Sequence, residues 1–331
     1  MTEDPLLSVR NLSLGVPRRG GSATVIVDDI SFDVAEGERF GIVGESGSGK
    51  SMTLRAIANL LPAGVKVLSG SVNYRGQDLR GMPAKARRQL AGPEIAMIFQ
   101  EPMTALNPVM RVGEQIAESP RRHLGLSKAA ATDLAVDMMR KTGIPDPARR
   151  AKAYPHELSG GLRQRIMIAM ALSCSPKLLL CDEPTTALDV TVQHQVLRLL
   201  EQLCEDTGTA LVFVTHDLGV VNQTCRELAV MYAGEIVERG HVKDVFADPR
   251  HPYTKGLLDS APDFDKPDRE LVAIPGFPPS LAGRPAGCPF QPRCAFAVEH
   301  CATSRPRLQS VLPGREAACF ETARIFEGAP A

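Results

Sequence analysis

The sequence contains no tryptophan, and aromatic residues make up only 5% of its 331 positions. This scarcity argues against a surface that stacks the bases of single-stranded nucleic acid, and weakly against a lectin-like sugar site. An excess of one charge is also absent, because 38 Lys and Arg balance 38 Asp and Glu. No global field therefore draws the chain to nucleic acid or anionic lipid. We expect no nucleic-acid partner, and any membrane contact has to be local.

Long apolar runs are missing as well. No stretch approaches the roughly 18–20 apolar residues that span a bilayer, and the first ten residues, MTEDPLLSVR, lack the basic-then-apolar order of a signal peptide. We expect a chain that is made and kept in the cytoplasm. Hydrophobic residues make up 44% of the sequence, which is typical of a globular protein with a substantial core.

Short apolar runs alternate with helical patterns along most of the chain, which predicts an α/β protein with a mainly parallel sheet. The first 34 residues indicate a β-rich edge, and residues 101–174 indicate a helical subdomain. Beyond Pro249, proline, arginine and cysteine become frequent and the periodicity fades. We therefore predict one large domain over residues 1–254 and a small C-terminal extension over residues 255–331.

A complete phosphate-binding pattern, G-x-x-x-x-G-K-[ST], lies between a predicted strand and a predicted helix. It is formed by Gly44, Glu45, Ser46, Gly47, Ser48, Gly49, Lys50 and Ser51. The glycines let backbone N–H groups turn toward the phosphates, and the start of the helix adds its positive dipole end. Lys50 is placed to reach the β and γ oxygens, and the Ser51 hydroxyl to ligate Mg²⁺. The pattern predicts binding of a nucleoside triphosphate with magnesium.

Two carboxylates follow a short, uniformly apolar run, Lys177 to Cys181, that predicts a buried strand. Open α/β sheets bind ligands at the carboxyl ends of their strands, so this placement favours a functional site over a simple turn cap. Asp182 is suited to hold Mg²⁺ through water. Glu183 is suited to orient and deprotonate the water that attacks a phosphate.

Four more segments occur in a fixed order with these two motifs. They are Gln100 after Ile98-Phe99, the segment Leu158-Ser159-Gly160-Gly161, the segment Thr186-Ala187-Leu188-Asp189, and His216 after an apolar run ending at Thr215. The Ser-Gly-Gly segment opens a predicted helix, which makes it a second phosphate-binding helix end. Taken together, the series resembles the ATP-binding cassette (ABC) family.

The resemblance implies a P-loop NTPase cassette with a mainly parallel core sheet, an antiparallel β subdomain and a helical subdomain. It implies that Ser159, Gly160 and Gly161 of one subunit close on the ATP held by a second subunit. It also implies that Gln100 senses Mg²⁺ and the transmembrane partner, that Asp189 contacts the other cassette, and that His216 contacts the γ-phosphate.

Two positions depart from the family pattern. Leu162 stands where the signature usually has glutamine, although peptide-importer subunits commonly carry an apolar residue there. The stretch from Ser22 to Ile26 has no aromatic residue to stack on adenine, so Val25 or a neighbour has to cover the base. The hypothesis that follows is some tolerance for other nucleoside triphosphates.

The eight cysteines form two groups. One group is scattered through predicted helices and strands, where we expect small apolar core residues: Cys174, Cys181, Cys204 and Cys225. The other group lies in the tail: Cys288, Cys294, Cys301 and Cys319. Because a cytoplasmic chain rarely keeps disulfides, a bound metal or cluster is the better interpretation of the tail group. The spacings of five, six and seventeen intervening residues match neither the usual zinc nor the usual ferredoxin pattern, which leaves both open.

The tail also resembles a known extension. His251-Pro252-Tyr253-Thr254, Ile274-Pro275-Gly276 and the Cys-Pro-Phe-x-x-Arg-Cys segment from Cys288 to Cys294 are similar to the C-terminal extension of dipeptide and oligopeptide importer ATPases. Some members of that group bind a [4Fe–4S] cluster through four cysteines there. The resemblance implies such a cluster on Cys288, Cys294, Cys301 and Cys319, with Zn²⁺ or unliganded thiols as alternatives.

The resemblance as a whole implies the ATP-hydrolysing subunit of a di- or oligopeptide importer. Its implied partners are two transmembrane permease subunits, a second ATP-binding subunit, identical or paralogous, and an extracytoplasmic substrate-binding protein. The implied location is the cytoplasmic face of the plasma membrane, as a peripheral subunit. Nickel chelates or another small solute remain alternative cargoes. A soluble ABC ATPase outside transport and a redox or iron-sensing regulator are the remaining alternatives.

Overall fold

The structure is a computed structural model that describes residues 4–18, 20–21, 23–101, 105–185, 189–261, 271–281 and 283–326. The chain divides into two compact units. The first unit comprises Met1–Leu6, Val34–Glu38 and Gln77–Phe213. The second unit comprises Leu7–Asp33, Arg39–Gly76 and Val214–Ala331.

Among the described residues, the strands are β1 Leu7–Pro17, β2 Ala23–Val34, β3 Arg39–Val43, β4 Lys66–Tyr74, β5 Gln77–Asp78, β6 Ile95–Ile98, β7 Leu178–Asp182, β8 Ala210–Thr215, β9 Glu227–Tyr232, β10 Glu235–His241, β11 Gln309–Leu312 and β12 Arg315–Ala317. The α-helices are α1 Lys50–Ile57, α2 Ala84–Leu90, α3 Val112–His123, α4 Lys128–Lys141, α5 Pro147–Arg150, α6 Gly160–Leu172, α7 Val190–Thr207, α8 Leu218–Thr224, α9 Val242–Ala247, α10 Pro252–Ser260, α11 Glu299–Thr303 and α12 Thr322–Phe326. Strands and helices thus alternate as the sequence predicts.

The second unit contains two groups of strands. One has the order β2-β1-β4, with β1 and β4 antiparallel from the Leu7–Tyr74 pair to the Gly15–Lys66 pair. The other has the order β11-β12-β10-β9-β3, in which β3 and β9 are parallel and β9 and β10 antiparallel. The first group is the predicted antiparallel β subdomain. The parallel β3–β9 pair carries the phosphate loop.

The first unit is built on buried parallel strands and three packed helices. β6 and β7 are parallel, with Ile95 opposite Leu178 and Ile98 opposite Cys181, and β8 lies next to β7. All five residues of β7 are buried, as a strand covered on both faces requires. Helices α3, α4 and α6 pack against one another, as the predicted helical subdomain requires.

Two details differ from the sequence predictions. The helix expected to run from Lys50 to Leu61 ends at Ile57, because Asn59 adopts a left-handed backbone conformation with φ of 57°, which a helix cannot continue through. The tail, which has no clear periodicity, nevertheless adds two strands to the second unit. β12 pairs with β10, with Glu238 opposite Ala317, and β11 pairs with β12.

The cysteines predicted to be core residues are all buried, with no more than 7% of any one exposed: Cys174, Cys181, Cys204 and Cys225. None of the described helices is both long enough and apolar enough to cross a membrane.

Candidate functional site

The phosphate loop joins β3 to α1 in the second unit. Gly44, Gly47 and Gly49 have φ of 151°, 80° and 103°, values that L-residues with a side chain rarely adopt. At Gly44 space is also lacking, because a Cβ there would lie 2.1 Å from the carbonyl oxygen of Met231. The glycine spacing that defines the motif is therefore required by the path of the backbone.

Lys50 lies inside this loop. Its side chain is buried, with 4% of the residue exposed, and its Nζ donates to the carbonyl oxygens of Gly44 at 2.7 Å and Glu45 at 3.0 Å. The Oγ of Ser48 is also buried and has no hydrogen-bond partner among the described residues. A buried ammonium group and an unsatisfied hydroxyl in the same loop fit an anionic ligand that accepts hydrogen bonds from both.

His216 belongs to the second unit as well. It directly follows β8 and is exposed. The next residue, Asp217, caps α8 by accepting from the backbone N–H groups of Gly219 and Val220. The predicted switch histidine thus lies on an exposed turn between a strand and a helix.

The predicted carboxylates lie at the end of β7 in the first unit. Asp182 is buried, with 1% exposed, and Glu183 has a left-handed φ of 45°. Gln100 lies just past the end of β6, and its Nε2 donates to Oε2 of Glu183 at 3.2 Å. Because β6 and β7 are parallel neighbours, their carboxyl ends meet at one edge, which brings Gln100 to Glu183. Strained backbone of this kind at a polar cluster is typical of functional sites.

The Ser-Gly-Gly segment forms the N-terminus of α6 in the first unit. Ser159 caps this 13-residue helix, with its side chain accepting from the N–H of Leu162 at 3.4 Å. Ser159 and Gly160 are exposed, and a Cβ on Gly160 would have no atom of the described residues within 4 Å. The helix end therefore presents backbone N–H groups and a positive dipole to an anion.

Asp189 caps the next helix of the first unit, α7, by accepting from the N–H of Val192 at 3.0 Å. The rest of the predicted dimer-contact loop, residues 186–188, lies outside the described residues. The predicted nucleotide residues thus divide between the units. The phosphate loop and His216 belong to the second, whereas Gln100, Asp182, Glu183, Asp189 and the Ser-Gly-Gly segment belong to the first.

The four tail cysteines line one cavity in the second unit, together with side chains that include Phe290 and His251. The backbone also holds two of them together, since the N–H of Cys288 donates to the carbonyl oxygen of Cys301 at 2.8 Å. Burial raises the pKa of Cys288 to about 12 and raises those of Cys294 and Cys319. These thiols are therefore protonated at neutral pH, and any metal has to displace their protons.

This cavity has the right donor atoms for a metal group but does not hold them close together. Four sulfur ligands facing one cavity are the donor set that both zinc and iron–sulfur clusters use. However, within the described part of the chain no three His, Cys, Asp or Glu side chains are grouped closely enough to hold a metal ion. The cavity therefore brings together the predicted cysteines without forming a finished single-ion site.

Sequence reasoning missed two contacts to the phosphate loop. The hydroxyl of Tyr253 accepts from the backbone N–H of Glu45 at 2.8 Å, and the guanidinium of Arg293 donates to both carboxylate oxygens of Glu45, at 2.7 and 2.9 Å. The pKa of Arg293 is raised, chiefly by these hydrogen bonds to Glu45. Both residues lie in the tail motifs already noted, but no local pattern indicates what they touch.

Comparison with known protein families gives two matches. The family model described as ABC transporter matches residues 27–186, and the one described as oligopeptide/dipeptide transporter, C-terminal region, matches residues 237–301. The oligopeptide transport ATP-binding protein OppD of Salmonella typhimurium is 48% identical over 316 residues, which cover 96% of this chain and 93% of the relative. The dipeptide transport ATP-binding protein DppD of Escherichia coli is 47% identical over 293 residues, covering 88% and 90%.

Solved structures give the same result for the fold. The dimeric ABC transporter cassette MJ0796 has a TM-score of 0.64 at 26% identity, covering 71% of this chain and 98% of that one. The cassette cbiO1 of Clostridium perfringens, part of the cbiONQ transporter complex, has a TM-score of 0.62 at 26% identity, covering 74% and 92%. These likenesses confirm the predicted cassette fold.

Proposed function

This chain belongs to the ABC transporter family, alongside oligopeptide and dipeptide transport ATP-binding proteins, and from that premise we propose that it is the ATP-hydrolysing subunit that powers import of di- or oligopeptides. The reaction is conversion of ATP and water to ADP and phosphate, coupled to translocation of a peptide. The single observation that carries the proposal is the phosphate loop, which combines left-handed glycines, the buried Lys50 and the unsatisfied Ser48 hydroxyl.

The residues that would hold the nucleotide and its metal follow from this loop. Lys50 and the N-terminal N–H groups of α1 bind the β- and γ-phosphates. The Ser51 hydroxyl, the Asp182 carboxylate and the Gln100 amide are the donors for Mg²⁺, which prefers oxygen ligands. When bound, the ion neutralises phosphate charge.

Glu183 is the group that we assign to activating water. Its carboxylate orients the attacking water and accepts its proton, and His216 steadies the γ-phosphate. The bond from Gln100 to Glu183 supports this assignment, because it fixes the carboxylate at the edge where β6 and β7 end. The amide of Gln100 thereby links the metal site to the base.

ATP binding is proposed to join two cassettes head to tail. The exposed Ser159-Gly160-Gly161 helix end of one subunit binds the phosphates held by the other, and Asp189 contacts the opposite cassette. An exposed helix N-terminus supports this arrangement, since its positive end offsets phosphate charge that otherwise keeps the two halves apart. Closure and hydrolysis then alternate to drive the permease.

The proposed assembly contains two membrane permease subunits, a second ATP-binding subunit and an extracytoplasmic substrate-binding protein. The chain itself is proposed to lie on the cytoplasmic face of the membrane. Its domain bounds are proposed as 1–254 for the cassette and 255–331 for the extension. Cargo selection rests with the binding protein and permease, so nickel chelates or other small solutes are alternatives to peptides.

The tail cysteines are proposed to hold a [4Fe–4S] cluster, with Zn²⁺ as the alternative. Their convergence on one cavity supports a shared inorganic ligand, and a cluster spreads its four thiolates wider than a single ion does. Protein purified without oxygen is expected to be brown and to contain four iron and four sulfide per chain, as the formula requires. Colourless, iron-free protein contradicts the cluster, and one zinc per chain supports the alternative.

The hydrolytic role is tested with Glu183→Gln in the purified full-length chain. This variant is expected to bind MgATP as wild type does, to lose ATP turnover, and to accumulate as an ATP-bound dimer. Size-exclusion chromatography with ATP and a phosphate-release assay measure the two effects. Unchanged hydrolysis contradicts the assignment of Glu183 as the base.

A further inference from the structure

The cysteine-bearing tail touches the phosphate loop through one side chain. Arg293, which directly precedes Cys294, donates from Nη1 and Nη2 to the two carboxylate oxygens of Glu45, at 2.7 and 2.9 Å. Glu45 is the second residue of the phosphate loop. A two-pronged guanidinium–carboxylate pair of this kind fixes both distance and orientation.

The pair is built into the protein. The Arg293 side chain is only 5% exposed. Its Nε donates to the carbonyl oxygen of Pro275 at 2.8 Å, and the guanidinium carbon lies 5.8 Å from the ring centre of Tyr232 and 6.0 Å from that of Phe290. Every part of the guanidinium is thus occupied by contacts that hold it against the loop.

Glu45 is held on its backbone as well. Its N–H donates to the Tyr253 hydroxyl at 2.8 Å, and its carbonyl oxygen accepts from Nζ of Lys50 at 3.0 Å. Glu45 is therefore fixed by Arg293 of the tail and by Tyr253, which lies just before the tail, and is hydrogen-bonded to the phosphate lysine. Arg293 is therefore connected to Lys50 through one residue, Glu45, so a displacement of Arg293 is expected to displace Lys50 as well.

Charge gives the contact a specific consequence. A carboxylate within a loop that binds a triphosphate adds negative charge near an anionic ligand, and the repulsion between like charges grows as the local dielectric falls. Arg293 cancels the charge of Glu45 with its own. Removing the guanidinium leaves the partly buried Glu45 carboxylate, whose side chain is 26% exposed, without this counter-charge in the loop.

We propose that Arg293 is a positioning residue for nucleotide binding, which neutralises Glu45 and fixes the phosphate loop, and that through it the Cys288–Cys294 segment sets the affinity for ATP. The inference rests on the proposed function in one respect, that the loop binds nucleotide. It makes the extension a control element of the ATP site, because whatever moves the cysteine-bearing segment also moves Arg293.

The test measures nucleotide affinity of the full-length chain by titration calorimetry, with MgADP and with the Mg²⁺ complex of a non-hydrolysable ATP analogue. Arg293→Met is expected to weaken binding of the analogue by about tenfold or more, and tenfold is equivalent to about 1.4 kcal/mol. The affinity for MgADP is expected to fall by a smaller factor, because MgADP carries less negative charge. Both losses are expected to shrink as salt is raised.

The matched control is Arg315→Met. Arg315 is also in the tail, its side chain is also 5% exposed, and it also pairs with a buried carboxylate, that of Glu238 at 3.0 Å. Its contacts are with Glu238 and Asp248, which lie outside the phosphate loop. Arg315→Met is expected to lower the thermal midpoint while leaving the affinity of the folded protein within about twofold of wild type.

A double-variant cycle separates charge from general loosening. In the Glu45→Gln background, Arg293→Met is expected to cost less than about threefold, since the carboxylate that it neutralises is gone. In ATP turnover, Arg293→Met is expected to raise KM far more than it lowers kcat. If Arg293→Met does not fold, Arg293→Lys serves instead, and it is expected to lose affinity through its single-pronged contact.

The outcomes are distinct. Equal affinities of the Arg293→Met and Arg315→Met variants, or a loss undiminished in the Glu45→Gln background, overturn the inference. An Arg293→Lys variant that folds and binds as wild type overturns it too. Wild-type protein that binds neither nucleotide contradicts the proposed function instead, since that result does not depend on Arg293.

Discussion

Glu238→Gln is expected to destabilise the protein because Glu238 is a buried acceptor that joins three segments. The residue lies in β10 with essentially no exposure. Its carboxylate accepts from the backbone N–H groups of Arg250 at 2.7 Å and His251 at 2.9 Å, and from the side chain of Arg315 at 3.0 Å. One carboxylate thus ties β10 to the segment before α10 and to β12 of the tail.

The size of the effect follows from what an amide cannot do. A glutamine has one acceptor oxygen, so one of the two backbone N–H groups faces an NH₂ group and loses its hydrogen bond. Leaving that buried N–H without an acceptor costs about 1–3 kcal/mol of stability. The bond to Arg315 loses its negative partner, at about another 1 kcal/mol. Burial raises the pKa of Glu238, while hydrogen bonds from Arg250 and Arg315 act against that rise. The expected loss is about 2–4 kcal/mol.

The assay is urea unfolding followed by circular dichroism, with the free energy taken from the midpoint shift at constant slope. The control is the same chemical change in an exposed pair, Asp33→Asn. Asp33 and Arg10 are 2.7 Å apart, and both side chains are 45% exposed, so this change is expected to cost no more than about 1 kcal/mol. A Glu238→Gln variant as stable as the Asp33→Asn variant refutes the reasoning.

Three further predictions concern the nucleotide, the tail and pH. Lys50→Ala is expected to weaken the binding of MgATP, measured by calorimetry, by about tenfold or more. Unchanged affinity contradicts the role of the loop. Cys288→Ser is expected to reduce bound iron or zinc, measured by elemental analysis; full metal content contradicts the assignment. Glu235→Gln is expected to raise the free energy of unfolding, compared with wild type, by more at pH 8 than at pH 5. Burial raises the pKa of Glu235 to about 7. The charges of Arg305 and Arg284 lower this pKa, and those of Asp28 and Asp29 raise it. The stability that its protonated form contributes is fully present below about pH 4.5 and lost as pH rises through about 7. Equal pH dependence of wild type and variant in urea unfolding contradicts that sign.

Local motifs were predictable because their physical cause is local. The glycines of the phosphate loop and the apolar run before Asp182 each specify a backbone path within a few residues, and the structure places both as expected. The buried state of Cys174, Cys181, Cys204 and Cys225 follows from the same short patterns.

The links between distant segments were not predictable. Arg293 and Glu45 are 248 positions apart in sequence, and β12 joins β10 through pairs such as Glu238 and Ala317. No periodicity in the tail encodes either contact, because each depends on which partner the folded chain brings alongside. The early end of α1 at Ile57 depends likewise on the left-handed Asn59, which periodicity does not detect.

The central claim, that this chain turns ATP hydrolysis into peptide import, is tested most directly by peptide uptake into vesicles that hold the chain with its permease subunits and second ATP-binding subunit, with the substrate-binding protein outside. ATP supplied on the side of the cassette is expected to drive uptake, and Glu183→Gln is expected to stop both uptake and phosphate release while the complex stays assembled. Peptide uptake that continues at the wild-type rate in vesicles carrying the Glu183→Gln chain contradicts the account.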